Sequence, residues 1–402
     1  MTIGSTQDTG TADVLHITLS GDVYLKSRQT QKGLIRKVRA NLKNALAATG
    51  YREEPERIGT HRFVVRPNPD QIETIRSAAR TVFGISSVDT VNAVPFRGIE
   101  DLARNIADRS RARVGTKTFA VRVKRRGVHD WNSMDLARLI GSNIVATGGR
   151  VDLSNPDVTV SVNVLDETAY LVVDHAVGAG GLPLGTQDRV LCLVSGGFDS
   201  VVAAWMLMSR GCPVDFVHFT LNCAQSDHAL AVAREMWAKW GHGTDPTVHL
   251  VEFQPVKDAL YVHVEPRLRQ VTLKVMMARA ASQIAEDSQI TALVTGDAMG
   301  QVSSQTLPHL VAVSHASRTP ILRPLVGLPK ETIIDLARRV GTAELSARAQ
   351  EVCDLSEGRP VATRAEQEVI NASVDAIPDM LMADAITTQK AFKLRDWTPG
   401  QF

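Results

Sequence analysis

Between Val190 and Ser200 the sequence reads VLCLVSGGFDS, and VVAAWMLMSRG follows it. An apolar, strand-like run stops at Ser195-Gly196-Gly197. An acid, Asp199, and a second hydroxyl, Ser200, then precede a helical pattern that Gly211 closes. A strand feeding a glycine turn and a helix N-terminus is an anion site, because the unpaired N–H groups of the first helical turn and the helix dipole both face the ligand. Glycine removes the Cβ that would keep backbone N–H groups away from phosphate oxygens. Asp199 would repel a bare phosphate and becomes useful when Mg2+ lies between carboxylate and phosphate. The residue types therefore point to a Mg-nucleotide. The loop has no GK[ST], which excludes a Walker A site, and no GxGxxG.

The four cysteines, Cys192, Cys212, Cys223 and Cys353, show no CxxC spacing. That argues against a disulfide scaffold, a zinc ribbon or a Cys-held iron–sulfur site, and it fits a reducing cytoplasm. The N-terminus lacks the basic and apolar regions of a signal peptide. No apolar run reaches the roughly 18–20 residues of a membrane span. The net charge of +2 hides a division: residues 21–130 hold 23 Lys+Arg against 11 Asp+Glu, and the other residues hold 22 against 32. A basic segment of that size on an otherwise acidic chain points to a polyanion, with nucleic acid favoured over a merely solvated face.

These residues need elements to position them. Val14–Thr18 and His61–Val65 read as strands, and residues 31–48 and 72–82 as helices. Residues 87–91, 118–124, 158–164 and 169–173 read as further strands, with helices near 99–110 and 135–140. This stretch is α+β. After the Gly/Pro-rich GAGGLPLG of residues 178–185, strand and helix alternate: strands at 190–194, 214–219, 248–253 and 290–295, helices at 201–210, 230–240 and 262–286. Such alternation predicts a doubly wound parallel sheet. The expected divisions are a disordered N-terminus (1–12), small α+β domains (13–70 and 71–176), a Gly-rich linker (177–188), an α/β domain (189–375) and a C-terminal tail (376–402), with the chain after Pro360 helical and then ending in a polar run.

SGGxDS after an apolar strand resembles the PP-loop ATP pyrophosphatases, which cleave ATP between the α and β phosphates and adenylate a substrate oxygen. VDLSNPDVTVSV, GAGGLPLGT, VSGGFDSVVAAWMLMSRGCPVDFVHF, VTGDAMGQVSSQTL and ILRPLVGLPKETIIDLARRVGT, in that order, look like the tRNA 4-thiouridine synthetase family. GDVYLKSR and VRANL resemble its N-terminal ferredoxin-like domain, and VFGISSV and TFAVRVKRR its THUMP RNA-binding domain. The resemblance covers roughly residues 15–355. It implies a ferredoxin-like domain, a THUMP domain and a PP-loop domain in that order. It also implies the reaction. ATP adenylates the uracil carbonyl oxygen at tRNA position 8, which turns a poor leaving group into a phosphate ester. A persulfide then delivers sulfur to that carbon and AMP leaves.

Residue by residue, the resemblance implies an ATP site made of Cys192, Leu193, Ser195, Gly196, Gly197, Ser200, His218, Phe219, Lys274, Gly296 and Gln305. Asp199 would hold Mg2+, and Lys330 would neutralise charge during adenylation. Asp297 is a second candidate for a metal or polar contact. Taken alone, Cys192 reads as a buried strand residue, Lys274 as a surface lysine and His218 as a core histidine. Lys26, Arg36, Lys37, Arg122, Lys124, Arg125 and Arg126 would hold tRNA phosphates, in a homodimer. Pro329 stands where an acid often precedes the lysine, which leaves the pose of Lys330 open.

Cys353, in EVCDLSEGRP, matches the family's reactive cysteine. Glu351, Asp354 and Glu357 around it disfavour a thiolate unless Arg348 or Lys330 compensates. Cys223 is the other candidate. The common form of the family pairs the reactive cysteine with a second one in a C-terminal rhodanese domain, before which this sequence stops. The implied sulfur donor is a cysteine desulfurase or a separate rhodanese, with no iron–sulfur cluster, and a second role in thiamine thiazole sulfur transfer is open. Two alternatives stand beside this: another PP-loop adenylating tRNA-modifying ligase, and a non-catalytic tRNA-binding protein.

Overall fold

The computed structural model describes residues 13–221, 226–349, 355 and 361–401. The disorder expected over residues 1–12, and both Cys223 and Cys353, lie outside the described residues. The chain divides into two compact units. The first runs to Lys26 and continues from Ala45 to Gly180; the second takes Ser27–Asn44 and everything from Gly181. Among the described residues no helix is long and apolar enough to cross a membrane.

The first unit holds β1 (Val14–Leu19), β2 (Glu56–Ile58), β3 (Arg62–Val65), β4 (Ile85–Pro95), β5 (Thr118–Arg126), β6 (Arg150–Val151), β7 (Val158–Leu165) and β8 (Thr168–Val177). They form one sheet in the order β2-β3-β1-β4-β8-β7-β5-β6. Strand β4 is its seam, antiparallel to β1 on one side and to β8 on the other. Strands from both expected small domains therefore share a ladder. Alternation in β7 buries Val160, Val162 and Val164 against Leu136, Ile140 and Phe119 and turns the residues between them outward. The helix Ser133–Val145 starts at a reciprocal cap: the Asn132 side chain accepts from the N–H groups of Met134 and Asp135, and the Asp135 carboxylate accepts from the Asn132 N–H. Such a cap is worth about 1 kcal/mol.

The second unit holds β9 (Val190–Leu193), β10 (Val214–Thr220), β11 (Thr247–Glu252), β12 (Ala292–Val294), β13 (Ile321–Leu322) and β14 (Lys390–Lys393). Their order is β13-β12-β9-β10-β11-β14, parallel except for β14. From β9 the chain steps outward through β10 and β11, then returns to place β12 on the other side of β9. The order thus reverses at β9, and an open parallel sheet binds ligands in the crevice at the carboxyl ends of such a reversal. Residues Ser195–Gly197 occupy that crevice.

Three expectations change. The helix expected over 262–286 begins at Arg269, and a separate helix, Gln254–His263, precedes it. Pro266 lies in the gap; it lacks the N–H and disfavours a helical residue before it. The tail is helical as expected, over Gln367–Asp375 and Asp379–Thr387, but its expected polar run instead carries β14 on the edge of β11 and then Trp397, which is 2% exposed. The Gly-rich segment is packed: Leu184 is buried, and the Asn41 amide donates to its carbonyl at 2.9 Å.

Candidate active site

The loop between β9 and the helix Phe198–Met208 is shaped by two close backbone approaches. Gly196 has φ +84°, and a Cβ there would lie 2.8 Å from Cδ2 of His228 and 3.1 Å from Cα of Ala229. Gly296 follows β12, and a Cβ on it would lie 2.6 Å from the carbonyl carbon of Asp199 and the nitrogen of Ser200. Registers place β9 and β12 side by side, with Cys192 opposite Val294, so the loops after both strands meet. Gly197 is the N-cap of the helix, and no side chain caps it. Within the loop the Ser195 N–H donates to Oγ of Ser200 at 3.4 Å. The thiol of Cys192 points to the Ser200 carbonyl at 3.5 Å, and complete burial pushes it up to about 12. A thiol buried in this way is inert.

Two ion-pair clusters flank the loop. Lys330 Nζ lies 3.0 and 3.1 Å from the two oxygens of Asp199, and the Gln301 amide donates to Asp199 at 3.2 Å. Pro329 is the N-cap of the helix Lys330–Val340, so its restricted φ fixes the start that presents Lys330. Asp297 is 8% exposed. It accepts from Lys274 at 3.2 Å, Thr295 at 2.7 Å and Arg323 at 3.3 Å. Burial pushes its carboxyl up, but Lys274, the Thr295 hydroxyl and Arg323 outweigh that and hold it below the usual carboxylate range. Both oxygens of Asp297 are thus engaged, as are both of Asp199.

His218 ends in this crevice. Its Nδ1–H donates to the Val194 carbonyl at 2.8 Å, and burial holds the ring below the usual histidine range, so it stays neutral. Its Nε2 is buried without a protein partner, and so are Oε1 of Gln301, Oγ of Ser304, Oε1 of Gln305, Oγ1 of Thr306 and Nε2 of His309. Buried polar atoms are nearly always bonded in native proteins, so these are available to a water, an ion or a ligand. Phe219 instead packs inward, its ring 4.8 Å from that of Phe253. Sequence reasoning missed Gln301, Arg323 and His228. The first two stand inside motifs already singled out, and the third carried no signal.

The basic residues divide between the units. In the first, Ile58, Gly59, His61, Arg62, Lys124, Arg125, Arg126 and residues 163–165 line a cavity of about 240 Å³. Arg62, which sequence reasoning missed, brings a buried Nε without a partner, and its Nη1 lies 3.4 Å from His16 Nδ1. Burial, then Arg62 and Arg66, bring His16 down to about 3, so it stays neutral and can accept that bond. Arg125 rests on the Trp131 ring at 5.7 Å. Arg122 is exposed on β5, its guanidinium donating to the Leu153 carbonyl at 2.9 Å. Lys26 is exposed between two helices. Arg36 and Lys37 lie on the helix Arg28–Ala48, in the stretch assigned to the second unit.

Among the described residues no three acids, histidines or cysteines come together as a metal cage. Comparison with known proteins finds two family models in the chain: a thiamine biosynthesis protein model (ThiI) over residues 185–377 and a THUMP domain over residues 96–174. A tRNA sulfurtransferase of Desulfurococcus amylolyticus is 38% identical over 364 residues, 90% of this chain and 74% of its own. One of Escherichia coli O157:H7 is 37% identical over 356 residues, 88% of this chain and 74% of its own. A solved 4-thiouridine synthetase, in complex with RNA and bound ATP, shares the fold with a TM-score of 0.78 at 24% identity, over 94% of this chain and 99% of that one. PH1313 from Pyrococcus horikoshii Ot3 matches with a TM-score of 0.58 at 20% identity, over 82% of this chain and 99% of its own.

Proposed function

The chain belongs to the tRNA sulfurtransferase family, and from that premise we propose that it uses ATP to adenylate the 4-carbonyl oxygen of uridine 8 in tRNA. Pyrophosphate leaves in that step; the terminal sulfur of a persulfide then attacks C4 and displaces AMP, and a second thiol attacks the inner sulfur, so that a disulfide forms and 4-thiouridine is released. The observation that carries this reading is the crevice at β9: an uncapped helix N-terminus, two glycines in close backbone approach and a run of buried polar atoms open to a ligand.

Each group has work it can do there. The loop N–H groups and Ser195 receive phosphate. Neutral His218 offers Nε2 as an acceptor to a nucleotide N–H or O–H. Asp199 fits Mg2+, because that ion is held by one or two carboxylates while phosphates and water supply the rest. Bound there, Mg2+ would neutralise phosphate charge. Lys330, 3.0 Å from Asp199, is in reach of the charge that develops on the leaving pyrophosphate. Cys353 carries the persulfide, loaded by a cysteine desulfurase or a separate rhodanese. The cavity of the first unit binds tRNA phosphates, and the enzyme acts as a homodimer. The same persulfide can serve thiamine thiazole synthesis, in keeping with the name of the family model matched at residues 185–377.

Mass spectrometry of tRNA nucleosides tests this in a strain lacking the gene. Wild type restores 4-thiouridine, and Asp199→Asn and Cys353→Ser do not. Thiouridine retained with Cys353→Ser removes that cysteine from the reaction; retained with Asp199→Asn, it removes the ATP site.

A further inference from the structure

The segment ILRPL carries an arginine to which the reaction above gives no role. Arg323 follows β13, and its side chain is 13% exposed. Its guanidinium serves three acceptors: Asp297 Oδ2 through Nε at 3.3 Å, Ser314 Oγ through Nη1 at 2.9 Å and the Leu310 carbonyl through Nη2 at 3.3 Å. Ser314 and Leu310 belong to the helix Leu307–His315, which directly follows the turn carrying Gln305. The other oxygen of Asp297 holds Lys274, from the helix Arg269–Asp287. One carboxylate thus joins the carboxyl ends of β12 and β13 to two helices.

The charges decide what this arrangement does. Asp297 and Lys274 alone form a neutral pair, with nothing left to attract a polyphosphate. Arg323 adds a permanent second cation, so the group of three keeps one positive charge. Of the two cations, Lys274 is the more exposed, at 29% against 13%. A lysine at position 323 could supply the charge but not the planar fork that serves three separate acceptors.

We propose that Arg323 is a positioning residue of the nucleotide pocket: it neutralises and orients Asp297, so that Lys274 is held in place with its charge available to ATP. This rests on Lys274 being a nucleotide-binding residue, and the test keeps the two claims apart. The full-length protein is titrated with Mg-ATP to obtain Kd, and tRNA-dependent AMP formation at saturating ATP gives kcat. Lys274→Ala and Arg323→Gln should each raise Kd, the latter about tenfold with kcat within about twofold. In an Asp297→Asn background, where the carboxylate is gone, adding Arg323→Gln should change Kd by much less than it does in the wild type, as for residues acting through one another. Should Arg323→Gln not fold, Ser314→Ala removes only the Nη1 acceptor and should raise Kd about two- to threefold.

Four results overturn the proposal. If Lys274→Ala raises Kd while neither Arg323→Gln nor Ser314→Ala does, Arg323 is not the positioning residue and the pocket stands. If the Arg323 and Asp297 effects multiply in full, the route through Asp297 is wrong. If Arg323→Gln lowers kcat and melting temperature with Kd unchanged, its role is structural. An unchanged Kd in Lys274→Ala removes the pocket reading itself.

Discussion

The two units build their candidate sites by opposite means. In the second, the crevice is made of backbone: two loops after neighbouring parallel strands abut at Gly296, and an uncapped helix begins between them. In the first, the cavity is made of side chains from three separate stretches, residues 58–62, 124–126 and 163–165. A backbone site tolerates no added atom and depends on a short contiguous sequence. A side-chain site spreads its affinity over many charges, each individually dispensable. The same contrast explains why glycine matters unequally. At Gly296 a Cβ meets main chain; at Gly59 it meets only the end of the Arg126 side chain at 2.7 Å.

Four measurements would break or sharpen this contrast. The largest expected effect is Asp199→Asn, which should lower tRNA-dependent AMP formation by about a thousandfold and leave tRNA affinity in filter binding unchanged. Reduced RNA affinity would mean that the sites are not functionally separate. Next, Gly296→Ala should abolish Mg-ATP binding, a loss of about a hundredfold or more. Gly59→Ala, at φ +63°, should cost only the roughly 1–2 kcal/mol of a left-handed non-glycine residue. Equal effects at the two glycines would erase the distinction. Third, Arg62→Ala and Arg126→Ala should each weaken tRNA binding about tenfold and lower the salt slope by about one, with ATP affinity intact.

The smallest effect concerns pH. Burial, then Arg62, Arg126 and Lys124, hold His61 below the usual histidine value in the free protein. A phosphate beside it would favour the charged ring, so binding takes up a proton. Affinity for tRNA should then rise by about threefold as pH falls from about 7.5 to 5.5. His61→Gln should flatten that dependence; a slope surviving in the variant assigns it to another group.

How much of this could be read from the residues follows from the same contrast. The loop, its flanking strands and Lys274, Gly296 and Gln305 lie in short motifs whose spacing is enforced locally, and the structure sets Gly296 against the loop and Lys274 on the neighbouring Asp297. The basic cavity was visible only as excess charge. Residues 124–126 and 163–165 converge through the long-range pairing of β7 with β5, and Arg62 looks like any strand arginine. The side chain of Lys37 lies along the backbone at Gly185, where a Cβ would come within 2.5 Å of its Cε, a packing contact that charge alone does not announce. Strand β14 is four residues, Lys390–Lys393, with two lysines and no alternation strong enough to announce it. The helix break at Pro266 was a local signal that the apolar periodicity around it concealed.

Strand β14 also has a consequence in time. It pairs with β11 across about 140 residues, with Thr247 opposite Lys393 and Leu250 opposite Lys390. A chain growing from the ribosome therefore completes β11 long before the strand that covers its outer edge exists. During that interval β11 presents open hydrogen-bonding groups, a template for other chains. Synthesis of β14 closes that exposure, so a nascent chain stalled before residue 390 keeps the outer edge of β11 open.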